Sequence, residues 1–231
     1  MIYLVDRYGD RTIYDVDFVP TDPQKGYVHE GAGLTYIDHV THNVFRGNMD
    51  QWAGFYERFF NFREIRYFDI EGKLTGLKSR AMTSPDGQIR IPINESSDDK
   101  SQIAEYLDLY HGEGIQHIAL GTDNVYSSVE MLAKNGVAFQ ETPDTYYQRL
   151  DNRIKGHGED VERLHRDGIL MDGAPTEGQG LLLQIFTQNA IGPIFFEVIQ
   201  RKGNEGFGEG NFKALFESIE ADQVKRGVLQ A

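Results

Sequence analysis

Apolar, aromatic and β-branched residues are interspersed with polar ones from Leu34 to Val44 (Leu-Thr-Tyr-Ile-Asp-His-Val-Thr-His-Asn-Val), a β-rich run that predicts a strand. A helical period follows. Trp52, Phe55, Tyr56, Phe59 and Phe60 recur at i, i+3, i+4, i+7 and i+8, a broad stripe that predicts a core-facing helix. Asn48 stands at its N-cap position with Gln51 three residues on, the spacing of a capping box. Three strands are predicted next, over 63–70, 74–84 and 88–94, with Glu71-Gly72 and Pro85-Asp86-Gly87 as turn chemistry between them. The unit reads β-α-β-β-β.

Residues 101–110 predict a helix with Ile103, Tyr106, Leu107 and Tyr110 on one face. The pattern then restarts. A strand over 115–121 precedes a helix marked by Val125, Val129 and Leu132, which Asn135-Gly136 closes. A strand over 137–141, a helical insertion over 143–154 and 159–167, and strands over 170–172, 181–187 and 194–202 follow. A last helix over 211–226 carries Phe212, Leu215, Phe216 and Ile219 on its apolar face. Tyr36-Ile-Asp-His-Val40 and Gly114-Ile-Gln-His-Ile118 open the two units alike. This internal repeat predicts an α+β fold of two paired β-α-β-β-β modules around a common sheet or pocket. Residues 10–33, with Pro20, Asp22, Pro23, Gly26, Gly31 and Gly33, read as a linker or irregular arm.

The length, 231 residues, allows one large domain or two packed modules, and the repeat selects two. Lys and Arg number 23 against 36 Asp and Glu, a formal charge of −13. That balance argues against a nucleic-acid surface, and an acidic ligand would need a local anchor such as a metal or a fixed donor. There is no cysteine, which excludes disulfides, thiolate zinc sites, iron–sulfur clusters and cysteine nucleophiles together. No apolar run approaches the roughly 18 residues of a membrane span. The first residues have no basic segment, long apolar stretch or cleavage site of a signal peptide. A cytoplasmic location and no membrane partner are the expectation.

Of the seven histidines, His29, His111, His157 and His165 lie in polar or Gly-rich contexts and read as solvent-exposed. His42 falls on the strand face opposite His39. His39 and His117 occupy equivalent places in the repeat, so pairing of the modules would bring their imidazoles close. Ile194-Phe-Phe-Glu-Val-Ile199 sets Glu197 in a very apolar strand, where an ionised carboxylate needs a compensating cation or base. Two readings stand at this point. Either His39, His117 and Glu197 form the two-histidine, one-carboxylate triad of a ferrous site, or Glu197 pairs with Arg201 or Lys202 and the histidines are core residues.

Several strings carry a resemblance: Gly33-Leu-Thr-Tyr-Ile-Asp-His-Val-Thr-His-Asn-Val44, Phe60-Asn-Phe-Arg-Glu64, Ile91-Pro-Ile-Asn-Glu95, Gly114-Ile-Gln-His-Ile-Ala119, Leu182-Leu-Gln-Ile-Phe-Thr187, Phe196-Glu-Val-Ile-Gln-Arg201 and Gly206-Phe-Gly-Glu-Gly-Asn-Phe212. In this order they resemble the 4-hydroxyphenylpyruvate dioxygenases, a family of the vicinal oxygen chelate (glyoxalase-like) superfamily. The resemblance implies a half-open mixed β-barrel around a metal, with the C-terminal helix over 206–231 as a lid. It implies an arm over 1–33 and a catalytic domain over 34–231, with modules over 34–96 and 114–203. His39, His117 and Glu197 match the ligands of one Fe(II), with O2 as co-substrate. Ser79, Asn94, Gln102, Gln116, Gln184, Phe195, Phe207 and Phe212 match substrate-binding positions, and Gln184, Asn94 and Gln102 match catalytic ones. The implied partner is an aromatic 2-oxo acid, and the implied assembly is a homo-oligomer. The implied reaction is oxidative decarboxylation and ring hydroxylation to homogentisate, a step of tyrosine and phenylalanine catabolism. The family's proteins are about half as long again, with an N-terminal pair of similar modules, and the first residues here read as the last strand of that half. Two alternatives accompany this reading. One is 4-hydroxymandelate synthase, in which the resemblance implies a smaller aliphatic residue at the place of Phe212. The other is a catalytically silent metal-binding fragment.

Overall fold

The computed structural model describes residues 9–11, 13–18, 31–71, 76–97 and 101–214. The chain divides into two units, Met1–Gly31 and Ala32–Ala231. In the first, a single exposed turn of helix, α1 (Ile13–Val16), stands within the stretch that reads as irregular. His29 lies outside the described residues.

The second unit follows the repeat. Module one runs β1 (Leu34–Val44), α2 (Met49–Phe60), β2 (Arg63–Glu71), β3 (Gly76–Thr83) and β4 (Arg90–Ser96). The helix α3 (Gln102–Tyr110) links it to β5 (Gly114–Thr122) and α4 (Val125–Lys134). Three short helices, α5 (Asp144–Gln148), α6 (Leu150–Arg153) and α7 (Val161–Asp167), precede β6 (Leu170–Gly173), β7 (Leu181–Phe186) and β8 (Phe195–Lys202). The eight strands form one sheet in the order β2-β3-β4-β1-β5-β8-β7-β6, curled into a half-barrel. β1 and β5 pair antiparallel at its centre, and each pairs parallel with the last strand of its own module, β4 or β8. From the centre outward both modules therefore repeat the same strand order.

Period-two geometry sorts the side chains of each strand between two environments. In β4, Ile91 and Ile93 pack beneath α2 with Val44, Met49, Ala53, Tyr56 and Met82, whereas Pro92 and Asn94 face a cavity inside the half-barrel. In module two, Val129, Tyr146, Leu150, Leu164, Met171, Leu183 and Val198 form the matching core under the helices. His42 belongs to the α2 side, with Tyr56 Oη 3.4 Å from its Nδ1. Burial pushes the His42 imidazole down to about 4, so the folded state holds it neutral while the unfolded chain takes up a proton below about 6.5. Stability is therefore complete above about pH 6.5 and is lost as pH falls toward about 4. Urea unfolding at pH 7 and pH 5 should show about 2 kcal/mol more loss for the native chain than for His42→Gln. Equal losses would show that the ring is not held neutral.

Four local expectations are corrected. The Asn48 side chain makes no cap hydrogen bond to α2. Its Nδ2 donates to Glu113 Oε1 at 2.7 Å, and Glu95 of β4 accepts instead from the backbone N–H of Gly47 (2.9 Å) and Met49 (3.2 Å). A tertiary carboxylate at a helix N-terminus, favoured by charge and dipole, replaces the capping box. Phe59 is 68% exposed, because the buried stripe of α2 centres on Met49, Ala53 and Tyr56. The strand expected over 137–141 reduces to one bridge, Phe139 with Thr187. His157, read as exposed, keeps only 7% of its side chain accessible, held by Asp151 Oδ1 at 2.8 Å and by the Glu159 N–H at 3.0 Å. The last helix begins by Glu209; residues 215–226 of the expected helix, with Leu215, Phe216 and Ile219, and most of the expected lid lie outside the described residues.

Candidate metal centre

The two central strands and β8 build the centre by register. His39 of β1 faces Ala119 of β5, which in turn faces Glu197 of β8. His117 lies two residues before Ala119 on the same strand face. Ala119 is fully buried, and its single methyl group lets the side chains of the two flanking strands close above it. Glu197 Oε2 lies 3.2 Å from His39 Nε2 and 3.3 Å from His117 Nε2, and the two Nε2 atoms are 3.3 Å apart. His39 and Glu197 are 4% and 2% exposed.

Each imidazole is oriented from behind. His39 Nδ1 lies 2.8 Å from Asp38 Oδ1, and His117 Nδ1 lies 2.9 Å from Gln116 Oε1. With acceptors at both Nδ1 atoms, the Nε2 lone pairs are free to point at the shared centre, the arrangement that serves metal-ligating histidines. Among the described residues, the Thr41 hydroxyl adds a further polar contact there, 3.0 Å from His117 Nε2. Cis ligands about 2.1 Å from one ion stand about 3.0 Å apart at right angles. The observed separations of 3.2–3.3 Å fit that triangle with only a small contraction.

The charges agree with this fit. Burial works against the ionised form of Glu197, but the two imidazoles outweigh it and hold the carboxyl at about 2. Burial also disfavours a charged His39, yet Glu197 and the hydrogen-bonded Asp38 raise its pKa. For His117 burial prevails and the pKa falls. The alternative pairing of Glu197 with a neighbouring base is overturned. Arg201 forks onto Asp38 at 2.7 and 2.8 Å, and Lys202 meets Glu159 at 2.6 Å. Among the described residues, His39, His117 and Glu197 are the group whose donor atoms gather within 4.8 Å, and they could hold a metal ion.

The triad opens on a cavity of about 540 Å³ inside the half-barrel. Ser79, Asn94, Gln102, Gln116, Gln184, Phe195, Phe207 and Phe212 all line it. Ser79 and Asn94 are register partners on β3 and β4. Phe195 stacks on His117 with centroids 5.1 Å apart, and Phe207 meets His39 edge-on at 5.4 Å. Gln184 is 2% exposed, and its Oε1 has no hydrogen-bond partner among the described residues. His42, His111, His157 and His165 do not line this cavity.

Sequence reasoning missed four contributors. Asp38 and Arg201 back His39, and Phe186 sets its edge toward His117 with centroids 6.1 Å apart. Asn211 lines the cavity, with Oδ1 occupied by Tyr146 Oη at 2.6 Å and by Arg153 Nη2 at 3.1 Å, and its buried Nδ2 has no partner among the described residues. The one available signal was a carboxylate directly before the strand histidine at 39. Asp38, which Arg201 holds, and Tyr146 and Arg153, which hold Asn211, are far away in sequence and leave no local mark.

The family model of the Glyoxalase/Bleomycin resistance protein/Dioxygenase superfamily matches residues 36–151. Over 229 residues the chain is 67% identical to a 4-hydroxyphenylpyruvate dioxygenase of Pseudomonas aeruginosa, covering 99% of this chain and 64% of that protein. It is 67% identical over 230 residues to Hemolysin VllY of Vibrio vulnificus, with 99% and 64% covered. The chain thus spans a little under two thirds of the length of these curated relatives. Among solved structures, a triple mutant of 4-hydroxymandelate synthase from Streptomyces coelicolor superposes with a TM-score of 0.72 at 32% identity, over 82% of this chain and 55% of that one.

Proposed function

The chain belongs to the Glyoxalase/Bleomycin resistance protein/Dioxygenase superfamily, and on that premise we propose that it acts as a 4-hydroxyphenylpyruvate dioxygenase, holding one Fe(II) between His39, His117 and Glu197. The observation that carries the reading is the convergence of two Nε2 atoms and one carboxylate oxygen within 3.2–3.3 Å of one another at a cavity with aromatic walls. High identity to a dioxygenase of that name supports it further. When bound, Fe(II) supplies the redox chemistry of an oxidative decarboxylation and ring hydroxylation that yields homogentisate, with O2 as co-substrate.

The residues of the chain do the rest. The triad provides the local anchor that a chain of charge −13 needs for an acidic substrate. Phe195, Phe207 and Phe212 bound the space for a phenyl ring and keep water from it. Ser79, Asn94 and Gln102 offer one hydroxyl and two amides to a phenol without adding charge. Gln116 holds the His117 tautomer, and Gln184 presents an amide oxygen with no partner among the described residues to the cavity it lines. The cavity volume, about 540 Å³, suits a single aromatic acid.

Likeness to a 4-hydroxymandelate synthase keeps a second reading in view, with the same substrate and a benzylic rather than ring hydroxylation. The 32% identity there, against 67% to the dioxygenase, and the aromatic Phe212 at the cavity favour the first. Incubation of the Fe(II)-loaded chain with 4-hydroxyphenylpyruvate and O2, followed by product analysis, should give oxygen uptake and homogentisate. Hydroxymandelate as the product would transfer the assignment to the synthase reaction. No uptake by a chain with iron bound would leave a silent metal-binding protein.

A further inference from the structure

Arg201 stands four residues after Glu197 on β8 with 9% of its side chain exposed. Its guanidinium is committed on every edge. Nε and Nη2 fork onto Asp38 at 2.7 and 2.8 Å, while Nη1 donates to the carbonyl oxygens of Asn204 at 2.9 Å and Gly206 at 2.7 Å. The same cation lies 5.8 Å from the ring centre of Phe207. Asp38 in turn holds His39 Nδ1 at 2.8 Å, and Phe207 closes on the His39 ring at 5.4 Å. These contacts make a closed circuit from His39 through Asp38 and Arg201 to the segment after β8, and back to His39 through Phe207.

We infer that Arg201 is a positioning residue that couples metal seating at His39 to the order of residues 204–208, the segment that carries Phe207 into the cavity. The guanidinium is planar, and its donors point in fixed directions, so one orientation satisfies Asp38 and both carbonyls together. If the segment lifts, Arg201 loses two acceptors and Asp38 loses its fixed partner, and the His39 ring is freed. If His39 is pinned at Nε2 by a metal, Asp38 and the guanidinium are pinned with it, and the two carbonyls gain a stationary donor. Coupling of this kind is reciprocal. An ordinary structural ion pair would stabilise the fold without making residues 204–208 respond to metal. A lysine at 201 presents a compact ammonium on a flexible stem and cannot match the planar fork. Arg90, whose Nη1 is 3.8 Å from Asp38, backs the same carboxylate, but its Nη2 is spent on Glu205 at 2.8 Å.

The inference rests on the reading that His39, His117 and Glu197 hold a divalent metal, and the test separates the two. Co(II) is titrated into the full chain, its visible absorption reports binding, and amide hydrogen exchange is followed over 204–208. In the native chain Co(II) should slow exchange there roughly tenfold. In Arg201→Lys, Co(II) should still bind, with affinity about 10- to 100-fold weaker, and its effect on these amides should be largely lost. Asp38→Asn, which preserves shape and an acceptor for His39, should uncouple them as well, and it serves if the lysine variant does not fold. Co(II) binding that leaves native exchange unchanged, or that slows it equally in the variants, would overturn the coupling alone. Absence of Co(II) binding by the native chain would overturn the metal reading and the coupling with it.

Discussion

Glu197→Gln is expected to lower divalent-metal affinity by more than about a hundredfold, a larger loss than partners outside the ligand set usually cause, while the metal-free protein stays folded. Glu197 is the only anionic member of the triad. Glutamine keeps its shape between the two Nε2 atoms but offers a neutral oxygen. The fold should tolerate the change, because a buried carboxylate is costly and here is compensated only locally by His39 and His117. Burial opposes a charge on His39, but Glu197 and Asp38 raise its pKa, so protons compete with a metal for its Nε2 more strongly than at a free imidazole. Metal affinity should therefore weaken as pH falls, and Glu197→Gln, by removing one of the two carboxylates that favour the proton, should reduce that dependence. Calorimetric titration with Co(II) between pH 6 and pH 8, with His117→Ala as a second ligand deletion, checks both points. Stoichiometric tight binding by Glu197→Gln would remove the carboxylate from the ligand set.

Gly208→Ala is expected to cost about 10²-fold in the proposed turnover of 4-hydroxyphenylpyruvate, the scale of a catalytic group displaced by about an ångström, with a smaller loss of Co(II) affinity transmitted only through the order of residues 204–208. Gly208 has φ of +79°, where an alanine is strained. A Cβ there would also fall inside the side-chain amide of Gln184. That amide is 2% exposed and flanked in β7 by the buried Leu183 and Ile185, so the open direction for it is into the cavity. The variant thus moves Gln184 without altering any atom of His39, His117 or Glu197. Steady-state oxygen uptake on Gly208→Ala, Gln184→Ala and the double variant tests this route. If the glycine acts through Gln184, the double variant should be little worse than Gln184→Ala alone. A full additional loss in the double variant would place the effect of Gly208 elsewhere.

Much of the scaffold was legible because it depends on period and repetition. The β-rich composition of 34–44 predicted β1 with the ends it has, and the matching strings before His39 and His117 predicted two modules with histidines in equivalent places. A single carboxylate in the apolar run of β8 marked Glu197. The failures lie where a local rule met a distant side chain. The capping box at Asn48 was locally sound, but Glu113 from the turn before β5 draws off the Asn48 amide, and Glu95 of β4 accepts from the Gly47 and Met49 N–H groups on either side. Phe59 fitted the helical period and still faces outward, since the sheet beneath α2 meets Met49, Ala53 and Tyr56. Residues 137–141 had strand composition but found only one bridging partner at Thr187.

By itself the sequence determined which side chains share a face, because strand and helix periods are properties of the backbone and need no partner. That sufficed for two histidines, one glutamate and the strands that carry them. Only the tertiary structure decided what each buried charge meets. The contact of Arg201 with Asp38 bridges 163 positions of the chain, and no spacing rule reaches that far. Whether Glu197 faced a base or two imidazoles was likewise settled by the register of β8 on β5, which sets it beside Ala119 and within 3.3 Å of both rings while turning Arg201 away to Asp38. Burial makes each such charge seek a partner, and three-dimensional proximity alone selects which one it finds.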